Sequence, residues 1–115
     1  MLPKKQRLSR AQFAKVFDTS TVLHSGHFSM KWTDDLLNKE SQFAIVVSKK
    51  VSRSSVGRNR IRRRCYGVLE KLLLQISENA TGIIFVRPSA VHLPPKALEE
   101  ELRGLFLRAG IVPKV

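Results

Sequence analysis

The sequence predicts a two-layer α/β sandwich: helices packed on one mixed sheet, in the order α-β-β-β-α-β-α. Three observations predict it. Ile61, Cys65, Val68, Leu69, Leu72 and Ile76 recur at helical spacing. Phe28, Met30 and Trp32 alternate with His27, Ser29 and Lys31, as in a half-exposed strand. Two short runs, 43–47 and 83–86, are apolar throughout, as strands buried on both faces are. The 115 residues and 43% hydrophobic content suit one domain, residues 1–115, burying about 65% of its unfolded surface.

Each element has a local cause. A helix over 10–18 is predicted by Ser9 as N-cap and Gln12 as its capping-box partner, with Leu8 and Phe13 as a hydrophobic staple. Phe13, Val16 and Phe17 then share a face. Strand-like sequence runs from 21 to 33, with Gly26 at a bend or hairpin corner, and 34–41 is a polar turn region. Residues 43–47 read as a central strand. The loop 49–55 leads into the long helix, capped by Ser54 or Ser55. After a turn near Asn79 comes the second buried strand, 83–86. The last helix, 95–109, has Pro95 in its first turn, Glu99, Glu100 and Glu101 early, Arg108 late and Gly110 as its stop. Leu98, Leu102, Leu105, Phe106 and Ala109 form its core face.

The charges of the long helix are arranged the other way. The run 49–64, KKVSRSSVGRNRIRRR, carries eight of the 21 Lys and Arg, and no acidic residue occurs from Ser41 through Leu69. Five of those arginines open the helix, where the dipole already places about half a positive charge. Each costs a few tenths of a kcal/mol up to about 1 kcal/mol there. A polyanionic partner explains the choice, and the net charge of +12 agrees. At 100° per residue, Arg58 and Arg62 flank one side of the apolar stripe beside Tyr66, Arg60 and Arg64 flank the other, and Arg63 points away from it.

No stretch approaches the roughly 20 apolar residues of a membrane span, and the basic N-terminus lacks the apolar core of a signal peptide. The lone Cys65, on the apolar stripe, suits a reducing, cytoplasmic compartment and a buried thiol. Catalytic groupings are thin. His24 and His27 point to opposite faces of strand-like sequence. Asp34-Asp35 could hold a hydrated Mg²⁺ but read as solvated turn carboxylates. No nucleophile–base or acid–base pair stands out, so no catalytic residue and no metal site are assigned.

AIVVSKK (44–50), followed by RNRIRRR (58–64), resembles the SKK-loop-RNR-helix signature of the protein subunit family of bacterial ribonuclease P. QFAKVF (12–17) and GIIFVRPSA (82–90) support the match, which covers about residues 7–107. Between the two motifs, residues 51–57 lack the glycine often found soon after SKK in that family.

The resemblance implies a sandwich like the second domain of ribosomal protein S5, with a left-handed βαβ crossover against the usual preference. It implies a protein that binds the catalytic RNA subunit and the 5′ leader of precursor tRNA. The RNA, with Mg²⁺, would hydrolyse the leader phosphodiester, and the protein would hold no cofactor itself. By position it implies RNA contact for Ser48, Lys49, Lys50, Arg58, Asn59, Arg60, Arg62 and Arg63, and Arg53 and Arg64 join them as parts of the same basic run. Phe13 and Phe17 would line a leader cleft, although their spacing alone is that of core residues. Lys31 and Trp32 fall where relatives have another cleft residue, and which of the two faces the cleft is open. Tyr66 reads equally as a contact or a packed edge residue. Asn59 reads as an RNA contact or a residue near the helix cap. A monomer is expected when free, with no membrane partner. The rival readings are a ribosomal or assembly protein, a DNA-binding module and a stand-alone metallo-nuclease.

Overall fold

The computed structural model describes residues 8–19, 21–33, 41–75 and 80–111. Its elements are α1 (Arg10–Thr19), β1 (Thr21–His24), β2 (Phe28–Thr33), β3 (Gln42–Val46), α2 (Ser55–Gln75), β4 (Thr81–Val86), a 3₁₀ turn over Pro88–His92, and α3 (Pro95–Arg108). The expected order holds. Asp34, Asp35, Ile76 and Asn79 lie outside the described residues.

The capping chemistry read from the sequence forms as expected. Ser9 N–H donates to Gln12 Oε1 at 3.0 Å, and Gln12 N–H donates to Ser9 Oγ at 3.2 Å, a reciprocal capping box. At the start of α2 the cap is Ser54, whose Oγ accepts from Gly57 N–H at 3.1 Å. The stop after α3 is a Schellman motif: Gly110 N–H reaches Leu107 O and Ile111 N–H reaches Phe106 O. Gly110 takes the positive φ of 79° that this turn demands. The first turn of α3 carries no acidic residue; the three glutamates fall a turn later, where two of them serve tertiary contacts.

The strand order is β1-β2-β4-β3, with β1 and β4 antiparallel to β2 and β3 parallel to β4. Residues 43–47 are therefore an edge strand, not a central one; the two central strands are β2 and β4. The apolar run misled because α2 covers one face of this edge. Phe43, Ile45 and Val47 are buried while Ala44 and Val46 are only partly so. At that edge the Ile45 N–H donates to the Tyr66 hydroxyl of α2 at 3.2 Å, satisfying a backbone donor that no further strand among the described residues takes up.

Register sorts the sheet into two faces. Phe28, Met30 and Trp32 pair with Val86, Ile84 and Gly82, which align with Ile45 and Phe43. This face carries the main core under α2 and α3: Ile61, Cys65, Leu69, Leu72 and Leu73 from one helix, Leu98, Leu102, Leu105 and Phe106 from the other. Leu73 belongs to it although the periodic reading omitted it. A Cβ on Gly82 would lie 2.5 Å from a Phe43 ring carbon, so only glycine lets that ring cross the backbone and reach Phe106, 5.2 Å away centroid to centroid. The opposite face bears Ser29, Lys31, Ile83 and Phe85. There α1 lies across β2 and β4, with Val16 and Ile83 buried beneath it.

One polar contact locks the β1–β2 corner to α3. Glu101 Oε2 accepts the Ser25 hydroxyl and, at 2.8 Å, the His27 N–H, while Oε1 lies 2.6 Å from His27 Nδ1. An ionised carboxylate only accepts, so His27 carries its proton on Nδ1. Partial burial alone would raise the Glu101 pKa, but the hydrogen bonds from Ser25 and His27 outweigh it and hold the carboxyl below its ordinary range.

Two predictions follow from these contacts. With a depressed folded pKa, the Glu101 contribution is complete above the ordinary glutamate value of about 4.3 and disappears as pH falls through the folded value. Glu101→Gln should therefore cost on the order of 1–3 kcal/mol in urea unfolding at pH 7, the gap from wild type narrowing toward pH 3; a pH-independent gap would refute the assignment. Cys65 is fully buried. Burial, only partly offset by Arg64, pushes its thiol up to about 11. A thiol reagent at pH 8 should leave native protein unlabelled and modify Cys65 only once denaturant unfolds the chain.

Candidate nucleic-acid interface

The packing of α2 decides which of its cations are free. Ile61, Cys65, Leu69, Leu72 and Leu73 face the sheet, leaving Asn59, Arg60 and Arg63 exposed. None of those three has a hydrogen-bond or ion-pair partner among the described residues. Arg62 is half-buried beside Tyr66. Two arginines of the run hold structure in place. Arg58 Nη1 donates to Ser52 O at 2.9 Å and to Arg53 O at 3.0 Å, clamping the loop against the helix. Arg64 Nη2 donates to Leu93 O at 2.7 Å, tying α2 to the segment before α3. Each keeps further donors for a partner, since a guanidinium carries five.

Ahead of the helix, Val51 N–H bonds Ser48 O at 3.0 Å and closes a turn. Ser48, Lys49 and Lys50 are exposed on it, and Arg53 is exposed just after it. An open concavity of about 740 Å³ is lined by Lys49, Lys50, Val51, Ser52 and Arg53. The turn and the start of α2 make a continuous cationic surface. The first turn of α2 contains no acidic residue to neutralise it.

The second expected set, the cleft, divides by strand parity. Lys31 is on the α1 face: its Nζ sits 3.9 Å from the Phe17 ring centroid and donates to Phe17 O at 2.8 Å. It thereby caps the C-terminal end of α1, where a cation also suits the dipole. Trp32 is on the other face. It packs into the main core, and its indole N–H has no hydrogen-bond partner among the described residues. Consecutive strand residues point to opposite faces, so of the two it is Lys31 that shares the face of Phe17. Tyr66 is likewise a packed edge residue: its ring joins the core side and its hydroxyl serves Ile45.

Phe13 and Phe17 are not core residues despite their spacing. Their rings stack with centroids 6.2 Å apart and 17° between planes, and Phe17 is 46% exposed. Phe85 meets Phe17 edge-on at 6.2 Å. These three rings with Lys31 form an aromatic shelf on the α1 face.

The sequence reading missed what extends that shelf. The cross-strand row His24–Ser29–Phe85–Val46 runs along its floor. Arg87 closes one end, its Nη2 lying 2.9 Å from His24 Nδ1 and 3.0 Å from Ser29 Oγ. The only available signal was the parity of residues 82–87, and it is silent until the strand has a partner. His24 and His27 do part company across the hairpin: one meets Arg87, the other Glu101. Among the described residues no group of three or more His, Cys, Asp or Glu could hold a metal ion, and no helix is long and apolar enough to cross a membrane.

Comparison with known proteins agrees with this architecture. The family model described as Ribonuclease P matches residues 2–110. The ribonuclease P protein component of Microcystis aeruginosa is 34% identical over 115 residues, covering 96% of this chain and 96% of that one. Among solved structures, a Staphylococcus aureus RNase P protein mutant with defective mRNA degradation activity has a TM-score of 0.83 at 19% identity, covering 94% of this chain and 91% of that one. The RNase P protein from Thermotoga maritima has a TM-score of 0.78 at 20% identity, covering 89% and 96%. These two likenesses show the fold. An arginine-fronted helix on that fold, matched along nearly its whole length by one family model, makes this chain a member of the ribonuclease P protein family.

Proposed function

We propose that this chain works as the protein component of ribonuclease P. It holds the RNA subunit through α2 and the 48–51 turn, and holds the 5′ leader of precursor tRNA on the α1 face, so that the leader is removed. Partnership with the RNA subunit comes with the family; the leader contact is our own reading. The observation that carries it is the division of the surface. Exposed cations, Lys49 and Lys50 on the turn and Arg60 and Arg63 on α2, front the start of the helix, where they oppose its dipole and suit a polyanion. Stacked rings, Phe13 half-buried and Phe17 exposed, with a lysine over the Phe17 face, occupy the α1 face, and aromatic surface of this kind takes bases with little sequence demand.

In this reading the hydrolysis belongs to the RNA subunit and its Mg²⁺, and the protein binds no cofactor. Its contribution is to neutralise phosphates where two RNA chains meet and to fix the leader strand. Arginine forks grip phosphate oxygens of the RNA subunit, and the shelf stacks leader bases without reading their identity. The protein acts in the cytoplasm and is a monomer when free.

Processing of a precursor tRNA at low Mg²⁺ tests this. The RNA subunit alone and the protein alone should each be inactive, and the mixture should release the leader. Cleavage by the protein alone, or an inactive mixture whose RNA works at high Mg²⁺, would refute the proposal. Arg60→Glu should weaken binding to the RNA subunit and lower the log–log salt slope by about 0.7–0.9, the share of one lost phosphate contact. Its thermal stability should stay equal or rise slightly, since a negative charge there suits the dipole; marked destabilisation would instead make Arg60 a structural residue.

A further inference from the structure

On the outer side of the helix layer, α2 and α3 run side by side in the same direction. Arg64 meets Leu93, Lys71 meets Glu99 at 3.8 Å, and Gln75 meets Arg103 at 3.3 Å. Between them lies a groove of about 270 Å³ lined by Arg64, Gly67, Val68, Lys71, Pro95 and Leu98. Its floor is apolar, and a cation stands at each end of the α2 wall. Glu99, the acid on the α3 wall, is bracketed by Lys71 and Arg103, so the rim stays positive.

Gly67 is the unexplained residue here. It sits in the middle of a 21-residue helix, where alanine would be the more stable choice. A Cβ built on it meets nothing within 4 Å, so no packing among the described residues demands glycine. What its absent side chain provides is the open groove itself, whose volume equals roughly nine waters at about 30 Å³ each. That is room for one planar base.

Resting on the function proposed above, we infer that this groove receives an unpaired nucleobase of the RNA subunit. The base lies against Gly67, Val68 and Leu98, and the phosphates flanking it are held by Arg64 and Lys71. The groove begins at Arg64, the last arginine of the basic run, and so continues the cationic track of α2 along the helix. It opens away from the α1 face, so it serves a different RNA segment from the one on the aromatic shelf. Charge decides the occupant: an apolar slot between two cations, on a chain of net charge +12, matches a base between phosphates better than an apolar peptide.

The test measures equilibrium binding of the full chain to the RNA subunit across a salt series, without tRNA. Gly67→Leu fills the groove and removes no cation. It should weaken binding on the order of tenfold, the loss of the apolar contact of one base, with the salt slope unchanged. Chemical probing should find one unpaired base that wild type protects and Gly67→Leu leaves reactive. Lys71→Ala, at an exposed site that tolerates truncation, should instead lower the slope by about 0.7–0.9, and it keeps the inference testable should Gly67→Leu fail to fold. Wild-type affinity in Gly67→Leu, or an unchanged slope in Lys71→Ala, would overturn the inference and leave the groove to a protein partner or to solvent. Failure of wild type to bind the RNA subunit would overturn the proposed function beneath it.

Discussion

The seating of α2 on the sheet, through Ile61, Cys65, Leu69, Leu72 and Leu73, is the contact on which the rest of the molecule depends. Burying a large aliphatic side chain is worth about 1.5–3 kcal/mol. Placing arginines against the positive end of a helix costs at most about 1 kcal/mol each. Burial therefore wins, and the helix forms with an N-terminus that local electrostatics disfavour. The same seating sets the rotation of the helix. It turns Asn59, Arg60 and Arg63 to solvent, aims Tyr66 at the edge of β3 and opens Gly67 toward α3.

The sheet separates two chemistries by its pleat. One face is closed by α2 and α3 into a continuous apolar core. The other is crossed, among the described residues, by α1 alone, so its floor stays partly open and collects Phe85, Ser29 and Lys31 beneath Phe13 and Phe17. A mixed sheet of four strands is thick enough to keep a cationic helix surface and an aromatic shelf apart, yet joins both through β3, the 48–51 turn and the start of α2. In the proposed function the two surfaces serve two RNA segments without competing. The arginines that clamp the junction, Arg58 on the loop and Arg64 on Leu93, hold the cationic turn in a defined place relative to the helix.

Much of this was legible in the residues. Capping at Ser9–Gln12 and Gly110, helical periodicity in α2 and α3 and the bend at Gly26 are local, and a local rule reads them. The cationic face was legible because charge and helical phase are both sequence properties. The position of β3 at an edge was not, since an apolar run looks the same whether a strand or a helix covers it. Nor were the fates of Lys31 and Trp32, because alternation separates two faces without saying which is which. Phe13 and Phe17 show the same limit: i, i+4 aromatics serve a core or a platform, and only what lies opposite decides.

The sequence by itself determined the class of fold, the element order and the presence of a helix that opens on five arginines. Each of these rests on interactions between residues a few positions apart. Only the tertiary structure decided strand order, which face carries the shelf, that Arg87, His24 and Ser29 close its end, and that Gly67 fronts a groove. Those depend on hydrogen bonds and packing between segments tens of residues apart. No local propensity encodes such pairings, and they take effect when the whole chain closes on one core.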